Sequence, residues 1–80
     1  ASRDEILELR AEARRAEDRI TKLTEMLDKL GVKMADPKVY DDPVEVKKWG
    51  RKHAEATEAM ARAEGLWMKA LERLERAERG

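Results

Sequence analysis

Ala35-Asp36-Pro37-Lys38-Val39-Tyr40-Asp41-Asp42-Pro43 interrupts a chain whose two flanks both read as long helices. Pro37 and Pro43 are the only 2 prolines among 80 residues. Each disfavours the α conformation in the residue before it and lacks the amide that a helix interior requires. The chain therefore leaves one helix near Ala35 and begins another at Pro43. Asp42 stands at the N-cap, Pro43 at the first helical position, and Glu45 three residues after the cap. This is an aspartate version of the capping box, with proline where its missing N–H is harmless. A rod becomes a hairpin.

Upstream, Ser2-Arg3-Asp4-Glu5 is a second capping box: the Ser2 hydroxyl accepts an N–H while Glu5 reaches back. Asp4 and Glu5 also complement the positive end of the helix dipole. Apolar residues then fall at Ile6, Leu9, Ala13, Ala16, Ile20, Leu23, Leu27, Leu30 and Met34. Steps of three and four alternate without a break, a strict heptad with Ile6 at a. Gly31, at an e position, offers a left-handed C-cap, but Met34 continues the seam, so the helix is expected to reach about Met34.

Downstream, the same spacing runs through Val46, Trp49, His53, Ala56, Met60, Ala63, Trp67, Ala70, Leu74 and Ala77. Every d position except Trp49 is alanine. Small residues along one line let two helix axes approach, and large residues from the partner fill the space. Antiparallel pairing of a with d sets Leu9 against Leu74, Ala16 against Trp67, Ile20 against Ala63, Leu23 against Met60, Leu27 against Ala56 and Met34 against Trp49. A register one heptad shorter sets Ala13 against Ala63 and leaves a costly void. The expected fold is all-α: two long helices forming an antiparallel coiled-coil hairpin. It is one domain over residues 1–80, with a helix at 2–34, a loop at 35–42 and a helix at 43–79. Each helix is about 50 Å long at the usual rise per residue.

Composition agrees. Charged residues are 45% of the chain and aromatics 4%, with no phenylalanine, which is too little bulk for a globular core. Eighteen basic residues balance eighteen acidic ones, so overall charge points to no partner. The chain has no cysteine, which excludes disulfides and thiolate metal sites. No apolar run approaches the roughly 18 residues of a membrane span, and no signal peptide is visible. These features lead us to expect a soluble, cytoplasmic helical module without a membrane partner.

One segment is more specific than heptads. Met34-Ala35-Asp36-Pro37-Lys38-Val39-Tyr40-Asp41-Asp42-Pro43 is similar to a Leu-Ala-Asp-Pro-x-x-Tyr-x-x-Pro loop. That loop belongs to the C-terminal coiled-coil domain of ABC-F type ATP-binding cassette proteins. The stretch Glu64-Gly65-Leu66-Trp67-Met68-Lys69-Ala70-Leu71-Glu72 resembles the Trp-x-x-x-Leu-Glu end of that domain's second helix. The resemblance covers roughly residues 16–75, while Gly31, Gly50 and Trp49 depart from the pattern. It implies a parent with two ATPase cassettes acting on nucleic acid or ribosomes, and a tail that contacts nucleic acid.

No catalytic constellation is visible. The four glycines are isolated, so no phosphate loop exists and no nucleotide cofactor is expected. Asp36, Asp41 and Asp42 lack the alternation and closing glutamate of a calcium loop; helix capping accounts for Asp42 and turn formation for Asp36. His53 has no second histidine or cysteine for zinc and reads as a register-setting polar residue in the seam. Tyr40 reads as a plug folded onto the hairpin tip, with base stacking as the sharper alternative.

Charge pattern carries more. Between Lys29 and Lys52, seven basic residues (Lys29, Lys33, Lys38, Lys47, Lys48, Arg51, Lys52) face four acids (Asp36, Asp41, Asp42, Glu45). The tip thus nets +3 and the remainder −3. Lys47/Arg51 and Lys48/Lys52 are like-charged neighbours one helical turn apart, an arrangement that a phosphate partner would relieve. Either this is a solvated face, or Lys47, Lys48, Arg51 and Lys52 contact phosphates with Lys33 and Lys38 in support. A second cluster, Arg10, Arg14, Arg15 and Arg19, is interleaved with acids and is less persuasive. At the open end, Leu66, Leu71, Met68 and Leu7 widen the apolar stripe around Trp67. Either they overpack the indole, or Leu66, Trp67 and Leu71 dock on the parent ATPase, a partner protein or a second copy.

Two functions therefore stand. One is a non-catalytic module of an ABC-F ATPase that binds DNA or RNA through a basic tip. The other is a structural or protein-interaction arm.

Overall fold

A computed structural model describes residues 1–80 as two long helices packed side by side. Helix α1 spans Arg3–Met34, a single turn α2 spans Pro37–Tyr40, and α3 spans Pro43–Arg79. The molecule measures 57 × 14 × 14 Å, about the length of one such helix, so α1 and α3 lie alongside each other. Arg10 pairs with Glu78, Glu12 with Arg73, and Lys33 lies over Trp49, which makes the two helices antiparallel. The fold is a helical hairpin.

Those contacts also select the register. They fit the alignment running from Leu9 against Leu74 to Met34 against Trp49. A slip of one heptad would pull the partners about 10 Å apart. Along α1, every a and d residue from Ile6 to Met34 is buried or half-buried, with Ala13, Leu23 and Leu30 the most deeply covered. Along α3, the buried residues are Ala56, Ala63 and Ala70, all on the alanine line; Ala63 and Ala70 retain only 2% and 1% exposure. The alanine line is where the helices approach most closely. Large seam residues such as Ile20, Met60 and Trp67 stay half-buried, because a two-helix seam covers only one side of each. Val46 departs from the expected seam and is 41% exposed. Helix α1 ends at Met34, the level of Trp49, so nothing on α1 stands opposite Val46.

Helix starts follow the capping residues. Ser2 Oγ accepts from Glu5 N–H at 3.2 Å, the first half of the capping box; the return bond from Glu5 does not form. Gly31 does not interrupt α1. Its carbonyl accepts from Ala35 N–H at 3.1 Å, and its φ is negative like that of every other residue.

The connecting segment differs from the expected loop in two ways. It contains the helical turn α2, because Asp36 and Pro37 repeat the device of Asp42 and Pro43. Asp36 Oδ1 accepts from Lys38 N–H at 3.0 Å, and Asp42 Oδ1 accepts from Val44 N–H at 3.0 Å and Glu45 N–H at 3.4 Å. Aspartate caps and proline opens the first turn in both places. The second difference concerns the plug: Val39 is 5% exposed and Tyr40 56%. Neighbouring residues of one helical turn point about 100° apart, so only one can face the hairpin. That residue is Val39.

Candidate nucleic-acid interface

The start of α3 positions the basic tip. With Asp42 capping and Pro43 at the first position, Lys47, Lys48, Arg51 and Lys52 share one exposed face over the next two turns. All four line a single shallow depression together with Val44 and Glu55. Lys33 joins them from α1: its ammonium lies 5.2 Å from the Trp49 ring centroid, over the same indole as Lys48 at 5.2 Å and Lys52 at 5.6 Å. Lys38 is exposed on α2, and no contact ties it to the other five.

The electrostatics of the two ends differ. Five ion pairs form: Arg10–Glu78, Arg15–Glu8, Arg73–Glu12, Arg76–Glu72 and Arg79–Glu75. All lie at the open end. None of the six tip cations has a carboxylate within 4.0 Å. Of the two glutamates that flank the basic run on α3, Glu55 lines the depression without pairing within 4.0 Å. Glu45 is engaged elsewhere, its Oε2 accepting from Trp49 Nε1–H at 2.7 Å. That bond also explains why Glu45 does not complete the capping box. Asp36 and Asp42 are likewise occupied by backbone N–H groups, and no three His, Cys, Asp or Glu side chains come together as a metal set.

Trp49 is the residue that sequence reasoning placed in the seam without seeing its second role. The signal was present: Glu45 stands four residues before it and Lys52 three after, both within reach on a helix. What sequence could not supply was Lys33, which arrives from the other helix.

At the open end the three proposed docking residues are not equally available. Leu66 is 61% exposed, whereas Trp67 and Leu71 are half-buried. Met68 and Leu7 are 58% and 49% exposed. The Trp67 Nε1–H is buried and has no hydrogen-bond partner. Such an orphaned donor loses its hydration without compensation.

The fold is an antiparallel helical hairpin with alanine-lined packing. The ABC transporter C-terminal domain family matches residues 7–75, and the chain belongs to that family. It is an accessory domain of an ABC protein, in agreement with the resemblance carried by the Asp-Pro loop. Comparisons with curated proteins and with solved structures returned no match. No helix is long and apolar enough to cross a membrane.

Proposed function

We propose that this domain is a non-catalytic arm of a cytoplasmic ABC-F ATPase and that its tip binds nucleic acid. Lys47, Lys48, Arg51 and Lys52 contact the phosphate backbone, with Lys33 and Lys38 in support. The observation that carries this reading is the segregation of charge. Arg10, Arg15, Arg73, Arg76 and Arg79 at the open end each meet a glutamate within 4.0 Å, whereas none of the six tip cations does. Stacked like charges repel, and a phosphate strand removes that repulsion while releasing its own counterions. Contacts of this kind are tolerant of sequence, because they address the backbone and not base edges.

The test is a fluorescence-anisotropy titration of labelled DNA and structured RNA at low and physiological salt. Its control is a variant with Lys47, Lys48, Arg51 and Lys52 changed to glutamate. Four phosphate contacts predict a loss of roughly a hundred-fold in affinity between 50 and 200 mM salt. The variant should not bind. Full binding by the variant, or none by the unmodified domain at low salt, would overturn the reading.

A second reading has its own observation. Exposed Leu66, Met68 and Leu7 favour the open half of the hairpin as a contact with the parent ATPase or another protein. Its affinity would change little with salt, which separates it from the first.

A further inference from the structure

The lysines of the tip surround an aromatic ring. Three ammonium groups gather over Trp49 from two helices, and over no other ring in the molecule. The Nε1–H bond to Glu45 holds the plane of the indole. Trp49 is half-buried and lines shallow grooves on the α1 side with Met26 and Leu30, rimmed by Lys22, Lys29, Lys33 and Lys52 together with Glu25 and Glu55. Met26 is 50% exposed, so the floor of this region is apolar, while lysines outnumber glutamates on its rim. Trp67 provides the contrast within the same chain. It is also a seam residue, at a where Trp49 is at d, yet its Nε1–H is buried without a partner and no lysine lies over it.

We infer that Trp49 is a stacking platform for an unpaired base, with Lys33, Lys48 and Lys52 holding the phosphates on either side. The inference rests on the nucleic-acid reading above and specifies its ligand: single-stranded or locally unpaired DNA or RNA, in preference to continuous duplex. In a duplex the faces of the bases are covered by their neighbours. An unpaired base offers a free π-face, and a cationic groove with an aromatic floor takes such bases with little regard to sequence. An ammonium over a partly exposed ring is held weakly. An arriving phosphate draws the lysine heads aside and frees the ring face, with no movement of the backbone. Charge and stacking are thus satisfied at one place.

The experiment compares a short oligothymidylate with a DNA hairpin duplex of equal phosphate number at low salt. Trp67→Phe leaves Trp49 as the single tryptophan reporter, and helicity is checked by circular dichroism. Oligothymidylate should quench Trp49 emission and bind roughly ten-fold more tightly than the duplex. Trp49→Leu should bring the two ligands to equal affinity, whereas Trp49→Phe should keep most of the preference. Equal affinities for the two ligands together with unchanged emission would overturn the stacking role. The phosphate-binding reading would then survive, provided the glutamate variant still lost duplex binding. Absence of binding to either ligand would remove both. If Trp49→Leu loses helicity, the quench and the affinity ratio measured without it decide the question.

Discussion

At the open end of the hairpin, arginine meets glutamate five times; at the tip, lysines meet a tryptophan and one another. The two tryptophans mark the same division. Trp67 sits among alanines and half-buried leucines with its N–H unmatched, while Trp49 has its N–H bonded to Glu45 and its ring surrounded by cations. Both stand on one helix in one heptad frame. What differs is the company that the folded hairpin brings. One end pairs five of its arginines within the hairpin, and the other leaves its cations without carboxylate partners.

Packing shows the contrast most strongly, since the α1 side of the seam is leucine and the α3 side alanine. Leu30→Ala, near the tip, should cost about 2–4 kcal/mol by opening a cavity in a seam with no reserve of bulk. Ala70→Leu, toward the open end, should cost about 1–3 kcal/mol for the opposite reason, because the helices are too close to admit the larger residue. Urea unfolding followed by circular dichroism measures both. If Ala70→Leu proved neutral, the alanine line would not be the point of closest approach.

The tip depends on its caps. Asp42→Ala should lose about 1 kcal/mol, since one carboxylate oxygen accepts two N–H groups at the start of α3. Asp36→Ala should lose less, because it caps a helix of 4 residues. Equal losses would mean that α2 is worth as much to the hairpin as the start of α3. Gly31→Ala should raise stability by about 0.5–1 kcal/mol, because glycine carries excess chain entropy into the helix. A Cβ there meets nothing within 4 Å. A fall in melting temperature would show that the glycine serves a bend or a contact. The smallest effect concerns the ion pairs themselves. Glu12→Ala should change stability by under about 0.5 kcal/mol at physiological salt, since both partners of the Glu12–Arg73 pair are well exposed. A larger loss would mean that the open end is held by charge and not by packing.

Much of the hairpin was legible in the chain. The alternation of three and four places Ile6 through Met34 on one line, and α1 runs to Met34 despite Gly31. Pro43 begins α3 where the Asp-Pro pair indicates. The same pair at Asp36 and Pro37 reads as a turn, although its chemistry is identical, and it opens the four-residue helix α2 within the eight residues 35–42. Tyr40, the expected plug, is exposed, and Val39 takes that place. Which of two adjacent residues faces inward is set by the phase of the turn that Asp36 and Pro37 begin. Val46 continued the heptad on paper but lies past the end of α1. Periodicity describes one helix and does not show where its partner stops.

Among the candidate contact residues, the four cations on α3 were legible because they share a face of one helix, which local spacing decides. Their relation to Lys33 and Trp49 was not, because it crosses the hairpin. The sequence by itself determined the two helices, their capped starts, the place of the reversal and the alanine line. These rest on interactions between residues a few positions apart. Tertiary structure alone decided the side chain that closes the tip, the arginines that find glutamates, and the tryptophan on which the lysines converge. Each of those outcomes depends on the level at which one helix meets the other, and that level is set by the packing of the whole seam.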